Sequence, residues 1–401
     1  MRRYSYRAKD SKTGKVVKGV IQAENDRAAG KLLIDQGFIP DSIEQADESS
    51  WLAKLQSKVA TKDKIVFTRQ FATLIGAGLP LSNALRTLIE QTQSRPMRNV
   101  IEDILNMVEA GKSLQEACSK HPDVFDQVYL SLIQAGEASG TLDLALKRLA
   151  DQKEKDAAMM SKIRGALTYP GIVLAVIIAV VVFMMVMVVP QVSDLYNQMG
   201  QVLPGATQVL VAISNFVIHQ WYIVLVMLGV IGIALVQFFK TDTGKRVMAN
   251  FKLHVPIFSK LFLRLYNARF ARTMQMLLST GVALLDSMRM AGEATSNMVY
   301  QEQITLAQEK VQAGKPLSEA LKDKKYMMPL VPQMASIGEE SGKIDEMLGK
   351  AAQVYEDELD EQIATISTMI EPILMVIMAG LIGFIVLAVL MPIYSLVSSV
   401  G

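Results

Sequence analysis

The chain has 401 residues, room for two or three domains, and its 41 basic and 39 acidic side chains nearly cancel to a net charge of +2. So even a balance argues against nucleic acid as the main partner, which would favour a concentrated basic face. The single cysteine, Cys118, excludes an intramolecular disulfide and a multi-cysteine metal site, and His121, His219 and His254 are too scattered for an i, i+4 metal pair.

Residues 1–45 read as a small α/β module. "RRYSYRAKD" alternates, with Tyr4, Tyr6 and Ala8 on one side, "SKTGK" is a turn and "VVKGVIQA" a second strand. "NDRAAGKLLIDQG" reads as a helix with Asn25 as N-cap and Gly37 just past its end. No apolar core of a signal peptide is visible in "MRRYSYRAKDSKTGK". Residues 46–60 are a linker whose apolar patch, Trp51, Leu52 and Leu55, suits either the membrane surface or the bundle that follows.

Residues 61–165 are patterned as a helical bundle of about six helices. Phe67, Phe71, Leu74 and Ile75 share one helix face, Gly78 suits a left-handed helix end, and Ser113 with Glu116 has capping-box spacing. From Gly165 to Ser193 there is no Lys, Arg, Asp or Glu, which predicts a transmembrane helix over 168–190. About 20 apolar residues rising 1.5 Å each cross a hydrocarbon core of about 30 Å. An external segment, 191–220, has no Lys or Arg, and a second span follows over 221–239. A second bundle is predicted over 260–368, a third span over 371–393 and an external tail over 394–401. Lys162, Arg164, Lys240, Lys245 and Arg246 flank the first two spans, which places the N-terminus and both bundles in the cytoplasm.

The chain also repeats itself. "FTRQFATLIGAGLPL" and "FARTMQMLLSTGVAL" (from Phe67 and Phe270), like "VEAGKSLQEA" and "VQAGKPLSEA" (from Val108 and Val311), stand 203 residues apart. "AGEASGTLD" and "IGEESGKID" (from Ala135 and Ile337) stand 202 apart, as do Pro170 and Pro372, so one deletion separates the registers. In the second repeat Phe270, Met274, Leu277 and Leu278 form the apolar face, Gly281 the helix end, and Pro316 replaces Ser113 in a first-turn role. Each repeat feeds one span, and the extra span between them returns both bundles to the same side. An inverted-repeat transporter has oppositely oriented halves instead.

Four groups of residues qualify as sites. The two GExSG turns are Gly136, Glu137, Ser139, Gly140 and Gly338, Glu339, Ser341, Gly342. They are not phosphate loops: three residues rather than four separate the glycines, and Ile344 stands where a Ser or Thr would hold magnesium. They read as helix–helix turns in which Thr141 or a neighbouring polar group starts the next helix. Glu137 and Glu339 either cap a nearby helix N-terminus or face a partner. Tyr169, Pro170, Glu371 and Pro372 mark where the chain enters the membrane, the prolines suiting a first helical turn. Gly171, Ala175, Ala179, Ala379 and Gly383 have the spacing of close helix packing, among the spans or between copies. Finally, "LKRLADQKEKD" is mildly basic and "VYEDELDEQ" strongly acidic, which suits solvated faces or bundles that diverged to make different contacts.

The N-terminal module, "KDKIVFTRQFATLIGAGLPL", the two GExSG turns and "KIRGALTYPGIVLAVIIAVVVFMMVMVVP" together resemble the inner-membrane platform protein family of type IV pilus and type II secretion machines. The resemblance spans essentially the whole chain. It implies a mainly α, polytopic inner-membrane protein with the N-terminus in the cytoplasm and no cofactor or enzymatic activity. It implies as partners a hexameric assembly ATPase, inner-membrane alignment proteins, pilin or pseudopilin, and further copies of the chain. The alternative is a transporter or channel subunit, disfavoured by spans without embedded charge. A membrane enzyme is disfavoured because no His, Cys and carboxylate cluster is apparent.

Overall fold

The computed structural model describes residues 2–10, 16–23, 26–35, 38–45, 58–198, 205–256 and 258–400. The N-terminal module has strands β1 (Arg2–Asp10) and β2 (Val16–Ala23), helix α1 (Asp26–Asp35) and a third strand, β3 (Phe38–Gln45), in the antiparallel order β2-β1-β3. The alternation announces the first two strands but not β3, whose pattern Pro40 interrupts. Pro40 sits opposite Ala8, at the register shift between Arg7 and Ala8, on an edge strand where a missing N–H is tolerated. Asn25, Gly37 and the Trp51, Leu52 and Leu55 patch lie outside the described residues.

The first bundle has six helices: α2 (Thr61–Gly76), α3 (Leu81–Gln91), α4 (Arg95–Glu109), α5 (Leu114–Ser119), α6 (Gln127–Ser139) and α7 (Leu142–Phe183). Phe67 and Phe71 are buried in its core with Leu85, Leu88, Ile101, Ile104, Leu132 and Leu146. Gly78 closes α2: it adopts φ +83°, while the Gly78 and Leu79 amides bond the Ile75 and Leu74 carbonyls. A residue with a Cβ pays about 1–2 kcal/mol for that conformation. Only half of the expected capping box forms. Ser113 accepts the Glu116 amide at 3.0 Å, but the Glu116 carboxylate turns to Lys112, 2.5 Å away, because an adjacent ammonium attracts it more than a neutral amide does.

The second bundle repeats this order with α12 (Phe258–Leu278), α13 (Leu284–Ala294), α14 (Met298–Gln312), α15 (Leu317–Lys322), α16 (Leu330–Ser341) and α17 (Ile344–Val400). Gly281 repeats the role of Gly78, with φ +83°. Pro316 is the residue before α15 rather than within its first turn; its ψ of 148° is extended and leaves the helix to begin at Leu317. A helix without a counterpart among the described residues of the first repeat, α11 (Asp242–His254), buries Ala249 and Leu253 in the second core.

Among the described residues three helices are long and apolar enough to cross a membrane, in the segments Leu142–Asp194, Trp221–Lys240 (α10) and Ile344–Phe384. The third and first are not separate from the bundles. Helices α7 and α17 run from bundle core into span without a break, so Pro170 and Pro372 lie inside helices and not in first turns. This corrects the reading of the two prolines. An interior proline forgoes one backbone hydrogen bond, at about 3 kcal/mol in a soluble helix; membrane helices tolerate it where neighbouring groups or local adjustments re-satisfy the freed backbone. Past Phe183 the first span passes through a π-helical turn, Met184–Val188, before Pro190 in α8 (Val189–Gln198). There the Ser214 hydroxyl, from helix α9 (Gly205–His219), donates to the Met185 carbonyl.

The two bundles pack on each other asymmetrically. Met276, Leu277 and Met290 of the second repeat are buried in the first repeat's core cluster. At the positions equivalent to Met276 and Met290 the first repeat has Thr73, exposed, and Thr87, half-buried, with hydroxyls bonded back to Arg69 and Asn83 carbonyls. The contact is therefore head-to-tail in kind: one repeat donates methionines and the other receives them.

Candidate functional site

Each letter of the GExSG turn has a separate physical task. The first glycine sits where two helices touch. A Cβ on Gly136 would stand 2.9 Å from the Ala145 Cβ, and one on Gly338 would stand 2.6 Å from the Ile344 Cα. The second glycine, Gly140 or Gly342, takes φ +71° or +68° to end the helix, and the Thr141 and Lys343 amides return to the Gly136 and Gly338 carbonyls at 2.9 Å. The serines bond back to carbonyls four residues earlier, Ser139 to Ala135 and Ser341 to Ile337, both at 2.7 Å. Thr141 does not start the next helix through its side chain; its hydroxyl lies 2.7 Å from that of Ser139.

The glutamates reach the other repeated motif. Glu137 accepts the amides of Leu114 at 2.6 Å and Gln115 at 3.0 Å, one on each carboxylate oxygen. Glu339 accepts the amide of Leu317 at 2.5 Å, that of Ser318 at 3.3 Å and the Ser318 hydroxyl at 2.5 Å. These are the first free N–H groups of the short helices α5 and α15, so each carboxylate closes a helix start from a distant point of the chain. The spacing is 23 residues in the first repeat and 22 in the second, and the same bond forms in both. Both glutamates thus cap a helix start.

A second recurrent pair escaped the sequence reading. Arg69 makes a two-pronged contact to Glu154, both bonds at 2.6 Å, and reaches Asp151 at 2.6 Å. Arg272 does the same to Glu356, both bonds at 2.8 Å, and reaches Gln353 at 3.4 Å. Arg69 with Arg272 and Glu154 with Glu356 occupy matched positions of the two repeats, so the signal was there in the alignment of the halves. The guanidinium bonds hold the Glu154 carboxyl below its usual range and push the Arg69 guanidinium up.

The opposed charge runs meet across the repeats. Lys155 lies 3.4 Å from Glu356, Lys162 2.6 Å from Asp360, and Arg269 3.4 Å from Asp156. Arg148 donates to the Ser279 hydroxyl at 2.7 Å. Glu358 turns within its own repeat to Arg264, at 2.7 Å. "VYEDELDEQ" is thus an interface between bundles along one edge, with Asp357 and Glu361 left exposed.

Tyr169, Glu371 and Pro372 are exposed on their helices, with Pro170 half-buried. Gly171, Ala175, Ala179 and Ala379 are exposed, Gly383 is half-buried, and a Cβ on either glycine would meet nothing within 4 Å. Among the described residues these small side chains do not pack the spans of one chain together. The span Trp221–Lys240 has none of its apolar window buried. Among the described residues no group of three His, Cys, Asp or Glu side chains is placed to hold a metal.

Residues 67–190 and 270–392 both match the family profile described as type II secretion system protein F, and residues 1–44 match that family's N-terminal domain. The chain is 35% identical to the type IV pilus assembly protein PilC of Thermus thermophilus over 403 residues, covering 99% of each. It is 33% identical to the type II secretion system protein F of Vibrio cholerae over 399 residues, covering 98% of each. To the pilus assembly protein PilC of Myxococcus xanthus it is 32% identical, over 97% of this chain and 94% of that one.

Proposed function

The chain belongs to the type II secretion system protein F family, and from that premise we propose that it passes conformational work from a cytoplasmic assembly ATPase to filament subunits beside its spans. Membership makes it an inner-membrane platform protein of a type IV pilus or type II secretion system. The finer reading is a non-enzymatic coupler whose N-terminus and bundles face the cytoplasm. Its partners would be a hexameric ATPase, inner-membrane alignment proteins, pilin or pseudopilin, and further copies of the chain.

One observation carries this reading. In both repeats a single helix, α7 or α17, is at once a wall of the bundle and a membrane span. Leu146, Leu149 and Ala150 are core residues on α7, as are Leu348, Ala351 and Leu359 on α17. A tilt imposed on the bundle therefore moves the span as a lever, with no loop to absorb it. The Lys155–Glu356 and Lys162–Asp360 pairs hold the two levers side by side.

The test is an insertion of four glycines after Thr368, between bundle and third span, in a strain lacking the native gene. The expected result is a protein that still inserts and still co-purifies with its ATPase but supports neither filaments nor secretion. Normal filaments or secretion from the glycine-interrupted protein would reject the lever.

A further inference from the structure

The chain turns sharply where it leaves the span α10. Thr241 locks the corner: its hydroxyl accepts the Gly244 amide at 3.1 Å and donates to the Phe238 carbonyl at 2.6 Å. Gly244 is buried against the last turn of α10, and a Cβ there would collide with the Phe238 carbonyl. Helix α11 therefore begins two residues past the span and lies against its end.

One side of α11 is seated on the second bundle. Ala249 and Leu253 belong to that core, and the Asn297 side-chain amide donates to the Ala249 carbonyl at 3.2 Å. Arg246 reaches Glu302 on α14 at 3.1 Å, and the Lys252 ammonium stands 5.6 Å over the Phe262 ring of α12. These contacts fix how the helix is rotated about its axis.

The other side carries Gly244, Val247, Met248 and Phe251, at i, i+3, i+4 and i+7, which is one helix face. Gly244 turns that face toward α10, and Val247 and Phe251 continue it away from the span, 50% and 62% exposed. A globular helix that packs on a core by one stripe ordinarily presents charge on the opposite one. Helix α11 presents valine and phenylalanine there and keeps Lys245, Arg246 and Lys252 off it. An apolar face with basic residues around the rest of the circumference suits a helix lying in a membrane interface. Continuity with the span identifies the occupant as lipid. The face starts on a helix apolar enough to cross a bilayer, and Phe238 and Phe239 in the last turn of that helix are exposed as well.

We propose that α11 is an interfacial foot: Val247 and Phe251 enter the headgroup and acyl boundary of the leaflet next to the bundles and hold the second bundle on the bilayer surface. The inference rests on the reading of α10 as a membrane span and not on coupling to an ATPase. The second bundle is thereby joined to the bilayer at two places, through α17 and through α11. Among the described residues the first repeat has no counterpart of this helix.

The test is spin labelling of the full-length protein in vesicles of phosphatidylethanolamine and phosphatidylglycerol, with a cysteine placed by Val247→Cys, Phe251→Cys, Lys245→Cys or Leu228→Cys. All four positions are exposed in the fold, and wild type, whose Cys118 is buried, gives the baseline. Nitroxides at 247 and 251 should be open to oxygen, closed to a water-soluble nickel chelate, and about 5–10 Å into the boundary. The nitroxide at 245 should show the reverse preference. The one at 228, midway along α10, should lie deeper than all of them. Nickel access at 247 and 251 equal to that at 245 overturns the foot, and with a deep label at 228 it does so while leaving the span intact. A label at 228 open to nickel overturns span and foot together. Labels at 247 and 251 that are immobilised and closed to both reagents also overturn the proposal, since protein, such as a second copy of the chain, would then cover the face.

Discussion

The Glu339 carboxylate accepts the Leu317 amide at 2.5 Å, and its twin Glu137 accepts the Leu114 amide at 2.6 Å. Each bond joins the two most recognisable motifs of its repeat, the GExSG turn and the AGK-x-L-x-E-A stretch. A helix of six residues has too few internal bonds to stand alone, so a charged acceptor at its start matters more than in a long helix. Glu339→Ala and Glu137→Ala should each lower stability by about 1–2 kcal/mol. Their effects should nearly add, since the two sites share no partner. Thermal unfolding in detergent measures this, with Glu→Gln at either site losing less because one oxygen acceptor remains.

The two glycines of each turn should respond differently to alanine. Gly342→Ala forces a Cβ into the left-handed region at about 1–2 kcal/mol. Gly338→Ala drives a Cβ to 2.6 Å from backbone at Ile344, which cannot rotate aside. The expected loss is about 2–3 kcal/mol, the upper end of overpacking costs. A smaller loss at Gly338 than at Gly342 would show that α16 and α17 can separate without penalty.

The matched arginine pairs differ in burial, and burial should set their value. The side chains of Arg272 and Glu356 are 16% and 12% exposed, against 35% and 45% for Arg69 and Glu154. Glu356→Gln strips Arg272 and Lys155 of their partner and should cost about 1.5–3 kcal/mol. Arg69→Gln should cost under about 1 kcal/mol and fade in high salt. Chemical denaturation of both variants at low and high salt separates them.

The Arg69–Glu154 pair also predicts a pH dependence. Hydrogen bonds from Arg69 depress the folded-state pKa of Glu154 below its unfolded value. Its contribution is therefore present above the ordinary carboxylate range and is lost as pH falls through the depressed folded value. Unfolding midpoints from neutral to acidic pH should converge for wild type and Arg69→Gln. Parallel curves at all pH values would deny the pair this role.

Cys118 offers a built-in reporter. It is 1% exposed and burial pushes its thiol pKa up, so the reactive thiolate is scarce. A maleimide should label the native protein slowly at neutral pH and the denatured protein completely. Because it is the single cysteine, faster labelling of Glu137→Ala would report opening of the bundle where α5 lies.

By itself the sequence determined what depends on local composition. The three spans follow from charge-free apolar length, the bundle helices from the spacing of Phe67, Phe71 and their counterparts, and the duplication from direct comparison. The left-handed roles of Gly78 and Gly281 were equally legible, since few other residues accept that backbone. β3 was hidden because Pro40 breaks the pattern that its pairing with Ala8 restores. Pro170 and Pro372 were misplaced because a proline's local preference for a first turn says nothing about whether a bundle helix continues into a membrane.

Only the tertiary structure decided which groups meet across long stretches of chain. The helix start that Glu339 caps lies 22 residues back along the chain at Leu317, and only the fold brings the two together. The acidic run was readable as solvated until Lys155 and Lys162 of the other repeat were placed against it. Hydrogen bonds and ion pairs act over a few ångströms of space and are blind to separation along the chain. A repeat therefore reveals which residues recur, and folding alone selects the partner of each.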